Sequence, residues 1–120
     1  MSAFEPRTYP ITRDALRAYA AASGDHNPIH QDEAIALAVG LPGVIAHGMY
    51  TLALVARYVE ESLGEPGRTA EIGAKFVKPV VVPEHGTEVE ISAQESADRL
   101  DITVTCDGVK VLAACRVRLT

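Results

Sequence analysis

The chain contains 120 residues, 48% of them hydrophobic, which is enough for one domain with a single core. Its 11 basic and 16 acidic residues give a net charge of -5, which disfavours a general nucleic-acid-binding protein. The sequence shows no apolar run long enough for a membrane span, no leader segment and no Cys-x-x-Cys pair. We therefore expect one domain over residues 1–120, located in the cytoplasm, with Cys106 and Cys115 as reduced core thiols rather than a disulfide.

The first predicted elements are a strand and a helix. Residues 7–11 are typical of a short strand, and Thr12 is a suitable N-cap for a helix over residues 13–23. Gly24 is expected to end this helix. The side chains predicted to face inward are Leu16, Tyr19 and Ala20.

Residues 23–30, with the sequence Ser-Gly-Asp-His-Asn-Pro-Ile-His, combine a carboxylate, an amide and two imidazoles. One continuous helix would place Asp25 and His30 roughly 140° apart. Pro28 disfavours that helix, because it lacks an amide proton and restricts the residue before it. An irregular turn can instead bring both side chains to one point, where they would form a general acid/base pair. The alternative is ordinary loop chemistry, with Asp25 in an Asx turn and His30 in solvent.

A short helix over residues 33–39, capped by Asp32, is predicted to precede a long apolar helix that starts at Gly48 and ends near Leu63. The long helix spans about 24 Å and carries charges near its end, which indicates a core helix. Its predicted buried face consists of Leu52, Val55, Ala56, Val59 and Leu63. Gly48 would let a ligand oxygen approach the free amides of the helix start, unless it serves only loop geometry.

The last part of the chain predicts strands over residues 69–82 with an interruption at Pro79, then 87–96, 100–106 and 109–119. The turn at Asp107-Gly108 predicts a hairpin between the last two. Apolar residues alternate along residues 89–93 and 100–104, so one sheet face needs a cover, and the long helix is suited to provide it. We therefore predict an α+β fold in which a curved antiparallel sheet wraps around one long central helix. Unpaired strand edges favour a dimer.

Residues 23–30 and the run Ala46-His47-Gly48-Met49 resemble the MaoC-like hydratase and dehydratase family, which includes the (R)-specific enoyl-CoA hydratases. Residues 8–13 and 39–41 are most similar to the B-type subunit of the (3R)-hydroxyacyl-carrier-protein dehydratases. The resemblance covers residues 8–83 and implies a single hot-dog domain.

The resemblance also implies a hydro-lyase that interconverts (3R)-3-hydroxyacyl and trans-2-enoyl thioesters. Asp25 and His30 would activate the water, the Gly48 amide would bind the thioester oxygen, and Asn27 would orient the water or merely precede Pro28. No cofactor is expected, since the CoA or phosphopantetheine thioester belongs to the substrate. The expected partners are the acyl thioester, an acyl carrier protein, and a second hot-dog subunit in a homodimer or a heterodimer.

Other functions are disfavoured by particular residues. A zinc site on His26, His30 and His47 would contain no thiolate, and Pro28 breaks the helical spacing of the first two, so no metal is expected. His47 is predicted to bond loop backbone instead. A hot-dog acyl thioesterase would need a carboxylate early in the long helix, and residues 48–56 contain none. A non-catalytic binding subunit of a heterodimeric dehydratase is the remaining alternative. Five basic residues would meet carrier phosphates or lie solvated on strands: Arg68, Lys75, Lys78, Arg116 and Arg118.

Overall fold

The computed structural model describes residues 4–120 as an antiparallel sheet around a central helix. The helices are α1 (Arg13–Ser23), a 3-10 turn (Pro28–His30), α2 (Glu33–Ala38) and α3 (Gly48–Leu63). The strands are β1 (Arg7–Ile11), β2 (Thr69–Phe76), β3 (Thr87–Ser96), β4 (Arg99–Cys106), β5 (Val109–Lys110) and β6 (Leu112–Leu119). The predicted α+β architecture is therefore confirmed.

The strand order in the sheet is β1-β3-β4-β6-β2, and β5 pairs with β4. Strands β1 and β2 are thus the outermost strands of this path among the described residues, and each pairs with one neighbour. Open edges of this kind are the feature from which a dimer was predicted, and the dimer itself stays a prediction.

Local signals place the helix ends where the sequence predicts them. Thr12 Oγ1 accepts a hydrogen bond from the Ala15 amide at 3.0 Å, which caps α1. Gly24, with φ at 79°, ends α1 in the left-handed conformation that glycine favours. Asp32 caps α2 in the same way as Thr12 caps α1, through the Ile35 amide at 3.1 Å.

The buried face of α3 differs from the predicted one. Thr51, Leu54, Val55, Tyr58 and Val59 are buried, whereas Leu52, Ala56 and Leu63 are only partly buried. Tyr58 can face the core because its hydroxyl donates to the Glu5 carbonyl at 3.0 Å, so its polar atom is satisfied. The core around α3 comes from alternating sheet residues, including Val89, Ile91, Leu100, Val104 and Val117.

Two predicted strands are interrupted. The strand expected over residues 69–82 ends at Phe76 and resumes only as a bridge between Ile45 and Val81. The strand expected over residues 109–119 is divided at Val111, whose carbonyl accepts from the Val77 amide at 3.1 Å. The chain after β2 therefore crosses towards the start of α3 instead of continuing along the sheet.

Cys106 and Cys115 are both free and buried, as expected for core thiols. Within residues 4–120, no helix combines the length and the apolar character needed to cross a membrane.

Candidate active site

The segment between α1 and α2 folds as two successive Asx turns and the 3-10 turn. Asp25 Oδ1 accepts from the Asn27 amide at 3.2 Å, and Asn27 Oδ1 accepts from the Ile29 amide at 3.2 Å. Pro28 occupies the start of the 3-10 turn, where its missing amide proton costs nothing. The result is that His30 is buried while Asp25 stays exposed.

Ile45 holds His30 in place. Its amide donates to the Ile29 carbonyl at 3.2 Å, and its carbonyl accepts from His30 Nδ1 at 2.8 Å. Ile45 is itself held because its neighbours pair with the segment after β2. The Ala46 amide donates to Val80, and the Val82 amide donates to Val44.

The hydrogen bond from His30 determines its tautomer. A carbonyl oxygen can only accept, so Nδ1 carries the proton and the neutral ring has its lone pair on Nε2. Burial lowers the pKa of His30, and the neighbouring His47 lowers it further, whereas the bond to Ile45 and the charge of Asp25 act in the opposite direction. His30 is thus prepared to accept a proton at Nε2.

His47 lies against His30. The two rings stack with centroids 3.8 Å apart and planes 25° apart. His47 Nε2 donates to the Asp25 carbonyl at 3.1 Å, which confirms the prediction that His47 bonds loop backbone. The stacking on His30 was not predicted. The adjacency of His47 to Gly48 was a signal that His47 belongs near the site.

Gly48 is the first residue of α3, and His47 contributes no side-chain cap to the helix. The first amides of an α-helix have no partner within the helix, so they are available to a ligand. The ring of Phe76 covers the Cα of Gly48, and an added Cβ would lie 3.0 Å from Phe76 Cε1. A larger side chain at residue 48 would therefore displace this ring.

Asp25, His30, His47 and Gly48 border one cavity of about 470 Å³, a size that is ordinary for small-ligand sites. The structure thus brings together three of the four predicted site residues. Asn27 does not border this cavity, and its side-chain oxygen caps the 3-10 turn. The other cavity-lining residues are mostly apolar: Ile45, Ala46, Met49, Thr51, Phe76, Val77, Lys78, Pro79, Val80, Val111 and Leu112.

Asp25, His30 and His47 each offer one potential metal-ligand atom, and these atoms lie within 4.8 Å of one another. His26, from the set considered in the sequence, does not belong to this group. The lone pairs of stacked imidazoles lie in two nearly parallel planes 3.8 Å apart at the ring centroids, so one nearby ion could not lie in the plane of both rings unless a ring turned. The expectation that no metal binds stays a prediction.

Comparison with known proteins shows the family to which the chain belongs. The family model described as "MaoC like domain" matches residues 2–112. The chain is 44% identical over 73 residues to the 3-hydroxyacyl-thioester dehydratase X of Mycobacterium tuberculosis, covering 61% of this chain and 25% of that protein. It is 38% identical over 103 residues to the fatty acid synthase subunit beta of Aspergillus oryzae, covering 83% of this chain and 4% of that protein. The chain therefore spans a quarter or less of these two curated relatives.

Solved structures share the fold. One described as a MaoC-like dehydratase superposes with a TM-score of 0.86 at 30% identity, covering 96% of this chain and 38% of that one. The R-hydratase PhaJ1 of Pseudomonas aeruginosa superposes with a TM-score of 0.78 at 27% identity, covering 96% of this chain and 77% of that one. The hot-dog fold and the resemblance seen in the sequence are thereby confirmed, and the chain belongs to the MaoC-like family.

Proposed function

We propose that the chain is a hydro-lyase that interconverts trans-2-enoyl thioesters and (3R)-3-hydroxyacyl thioesters. The observation that supports this most directly is that Asp25, His30 and the first residue of α3 border the same cavity. The names of the dehydratase and hydratase relatives point to the same reaction.

In the proposed mechanism, Asp25 and His30 together activate a water molecule, with Nε2 of neutral His30 available as a base. The water oxygen bonds to the β carbon, and the electrons of the double bond move towards the thioester carbonyl. The Gly48 amide and the positive end of the α3 dipole stabilise the enolate oxygen that develops. The proton that the Asp25–His30 pair takes from the water is delivered to the α carbon, which completes the addition. Dehydration follows the same steps in reverse.

The substrate is proposed to be an acyl thioester whose chain occupies the apolar part of the cavity, beside Phe76, Val80 and Leu112. Its CoA or phosphopantetheine group arrives with the substrate, and no resident cofactor is needed. Lys78 is the one lysine or arginine among the described residues that line this cavity. A carrier phosphate is the ligand group that would suit this cation, on CoA or on an acyl carrier protein.

The protein is proposed to act in the cytoplasm as a homodimer, or as a heterodimer with a related hot-dog subunit. The free edges of β1 and β2 support pairing with a second sheet. The free thiols of Cys106 and Cys115 are compatible with a reducing compartment. Light scattering of the purified chain distinguishes a stable homodimer from a monomer that awaits a partner.

The activity is tested by the loss of ultraviolet absorbance as the conjugated double bond of an enoyl-CoA is hydrated. We expect the wild type to hydrate it, and Asp25→Asn and His30→Ala each to lose about 10²-fold or more in kcat. Asp98→Asn and His85→Ala remove the same groups at exposed positions outside the cavity and serve as matched controls.

Three outcomes contradict the proposal. Release of free thiol without hydration would indicate a thioesterase. Failure of a chain that forms a stable homodimer to hydrate either enoyl-CoA or enoyl-phosphopantetheine would indicate a non-catalytic binding subunit. Full activity of Asp25→Asn and His30→Ala would place the chemistry elsewhere.

A further inference from the structure

His47 contacts each part of the candidate site. It bonds the backbone of Asp25, its ring stacks on His30, and its own carbonyl accepts the Tyr50 amide at the start of α3. We propose that His47 is a positioning residue. Its Nε2–H group fixes the turn at Asp25 through the Asp25 carbonyl, and its ring fixes the orientation of the His30 ring by stacking. This inference rests on the proposed function, because it concerns the geometry of the same acid/base pair.

Burial restricts His47 to this arrangement. Its side chain is 1% exposed, and the edge-on ring of Tyr19, with centroids 4.8 Å apart, contacts it in addition to His30. Tyr50 packs in turn against Tyr19 at 5.4 Å. A ring held between two others cannot tilt without disturbing them, so the orientation of His30 depends on His47.

The hydrogen bonds also determine the tautomers of both rings. Because the Asp25 carbonyl only accepts, neutral His47 carries its proton on Nε2 and its lone pair on Nδ1. That Nδ1 atom is buried and has no hydrogen-bond partner within residues 4–120. In neutral His30 the arrangement is reversed, with the proton on Nδ1 and the lone pair on Nε2. The two rings thus present different atoms to their surroundings, and only His30 has Nε2 available as a base.

The hydrogen bond from His47 acts on Asp25 through its main chain. Asp25 follows Gly24, and its carboxylate also accepts the Asn27 amide within the first Asx turn. A turn that begins at a glycine and lies at the surface has few other restraints. Losing the bond to the Asp25 carbonyl would let the carboxylate move relative to His30, and misplacement by about 1 Å can cost about 10²-fold in rate.

Within residues 4–120, the charged and titratable groups around the stacked pair include Asp25, which follows α1, Tyr19 on α1, and Lys78, which follows β2 and lines the same cavity. Tyr50 on α3 packs against Tyr19. The stacked ring of His47 excludes water from one face of His30. Replacing that ring with a flexible side chain would expose this face, and the pKa of His30 would return towards its ordinary value.

Two variants separate the two contacts. His47→Gln places an amide near the position of Nε2, so it keeps a donor for the Asp25 carbonyl but removes the ring. His47→Phe keeps the ring but removes the donor. His85→Gln, at an exposed position outside the cavity, is the matched control.

The test combines kcat and KM for enoyl-CoA hydration with nitrogen NMR of the imidazole rings in the protein without substrate. In the wild type with both rings neutral, we expect the proton on Nε2 of His47 and on Nδ1 of His30. Both variants remove the charge of His47, but only His47→Gln also exposes the ring face of His30, so His47→Gln should raise the NMR titration midpoint of His30 more than His47→Phe does. Both variants should lose about 10-fold or more in kcat with a smaller change in KM.

The proposal is overturned if His47 carries its neutral-form proton on Nδ1. It is also overturned if folded His47→Gln raises the His30 midpoint no more than His47→Phe does, or if both variants retain the wild-type kcat. A purely structural role would lower Tm in both variants without these changes. The NMR measurements need no substrate. The tautomers of the wild type and the His30 midpoints of the variants therefore test the positioning role even if the wild type fails to hydrate enoyl-CoA.

Discussion

The substitution Gly48→Ala separates packing from chemistry at the start of α3. The added methyl group would lie 3.0 Å from Phe76 Cε1 and 3.2 Å from Cδ1 and Cζ. Carbon atoms pack best at about 3.5–4.0 Å, so the ring would have to retreat by roughly 0.5–1 Å. Phe76 is 54% exposed, which leaves room for that movement.

The expected effects on stability and activity therefore differ in size. Because the exposed ring can turn outward, we expect the free energy of unfolding to fall by about 1 kcal/mol, at the lower end for overpacking. This corresponds to a decrease in Tm of about 4 °C. If the thioester oxygen must reach the Gly48 amide, the methyl group hinders its approach. The loss in kcat would then approach that of a missing oxyanion donor, about 10²-fold or more.

A double-mutant cycle with Phe76→Ala tests the reason for the loss. The single and double variants are compared by enoyl-CoA hydration and by thermal unfolding followed with circular dichroism. In the Phe76→Ala background, Gly48→Ala should no longer lower the Tm, because the ring that it would displace is absent. It should still lower kcat relative to Phe76→Ala alone. Recovery of both quantities in the double variant would mean that Gly48 serves only to accommodate the ring, and the oxyanion role would be refuted.

Three further predictions concern stability and reactivity. The folded-state pKa of His30 lies below its ordinary value of 6.5, so the unfolded chain binds a proton at this imidazole first as the pH falls, and part of the stability present above pH 6.5 is lost. His30→Asn should therefore reduce the dependence of the unfolding free energy on pH, measured by denaturant titrations across that range. An unchanged dependence would contradict the shift. Burial raises the pKa of Cys115 to about 11, so a thiol reagent at mildly alkaline pH should modify Cys115 only after denaturation. Rapid labelling of Cys115 in the folded chain would contradict its burial. Tyr58→Phe leaves the Glu5 carbonyl without its donor and should lower the free energy of unfolding by about 1 kcal/mol; no change in urea unfolding would show that this bond contributes little.

Much of the candidate site could be predicted from local sequence. Pro28 excludes a helix through residues 25–30, and the 3-10 turn that replaces it places Asp25 and His30 on one cavity. Gly48 was predicted to begin the central helix, and it does so. The Asn27 side chain caps the 3-10 turn through its bond to the Ile29 amide, and the predicted effect of Asn27 on a water molecule stays a prediction.

The sequence by itself determined the elements whose signals are local, namely β1, α1 with its caps, and α3, because capping and apolar periodicity act within a few residues. The sequence misplaced the buried face of α3, since Tyr58 can be buried only because its hydroxyl donates to the carbonyl of Glu5, which is distant in the chain.

Tertiary structure alone decided the contacts that complete the site. His47 stacks on His30 because Ile45, bonded to the 3-10 turn, holds that turn against the start of α3. Phe76 covers Gly48 because β2 ends there and its chain crosses to the helix. Such contacts join segments far apart in the chain, so no local pattern records them, and they exist only once the sheet has wrapped around the helix.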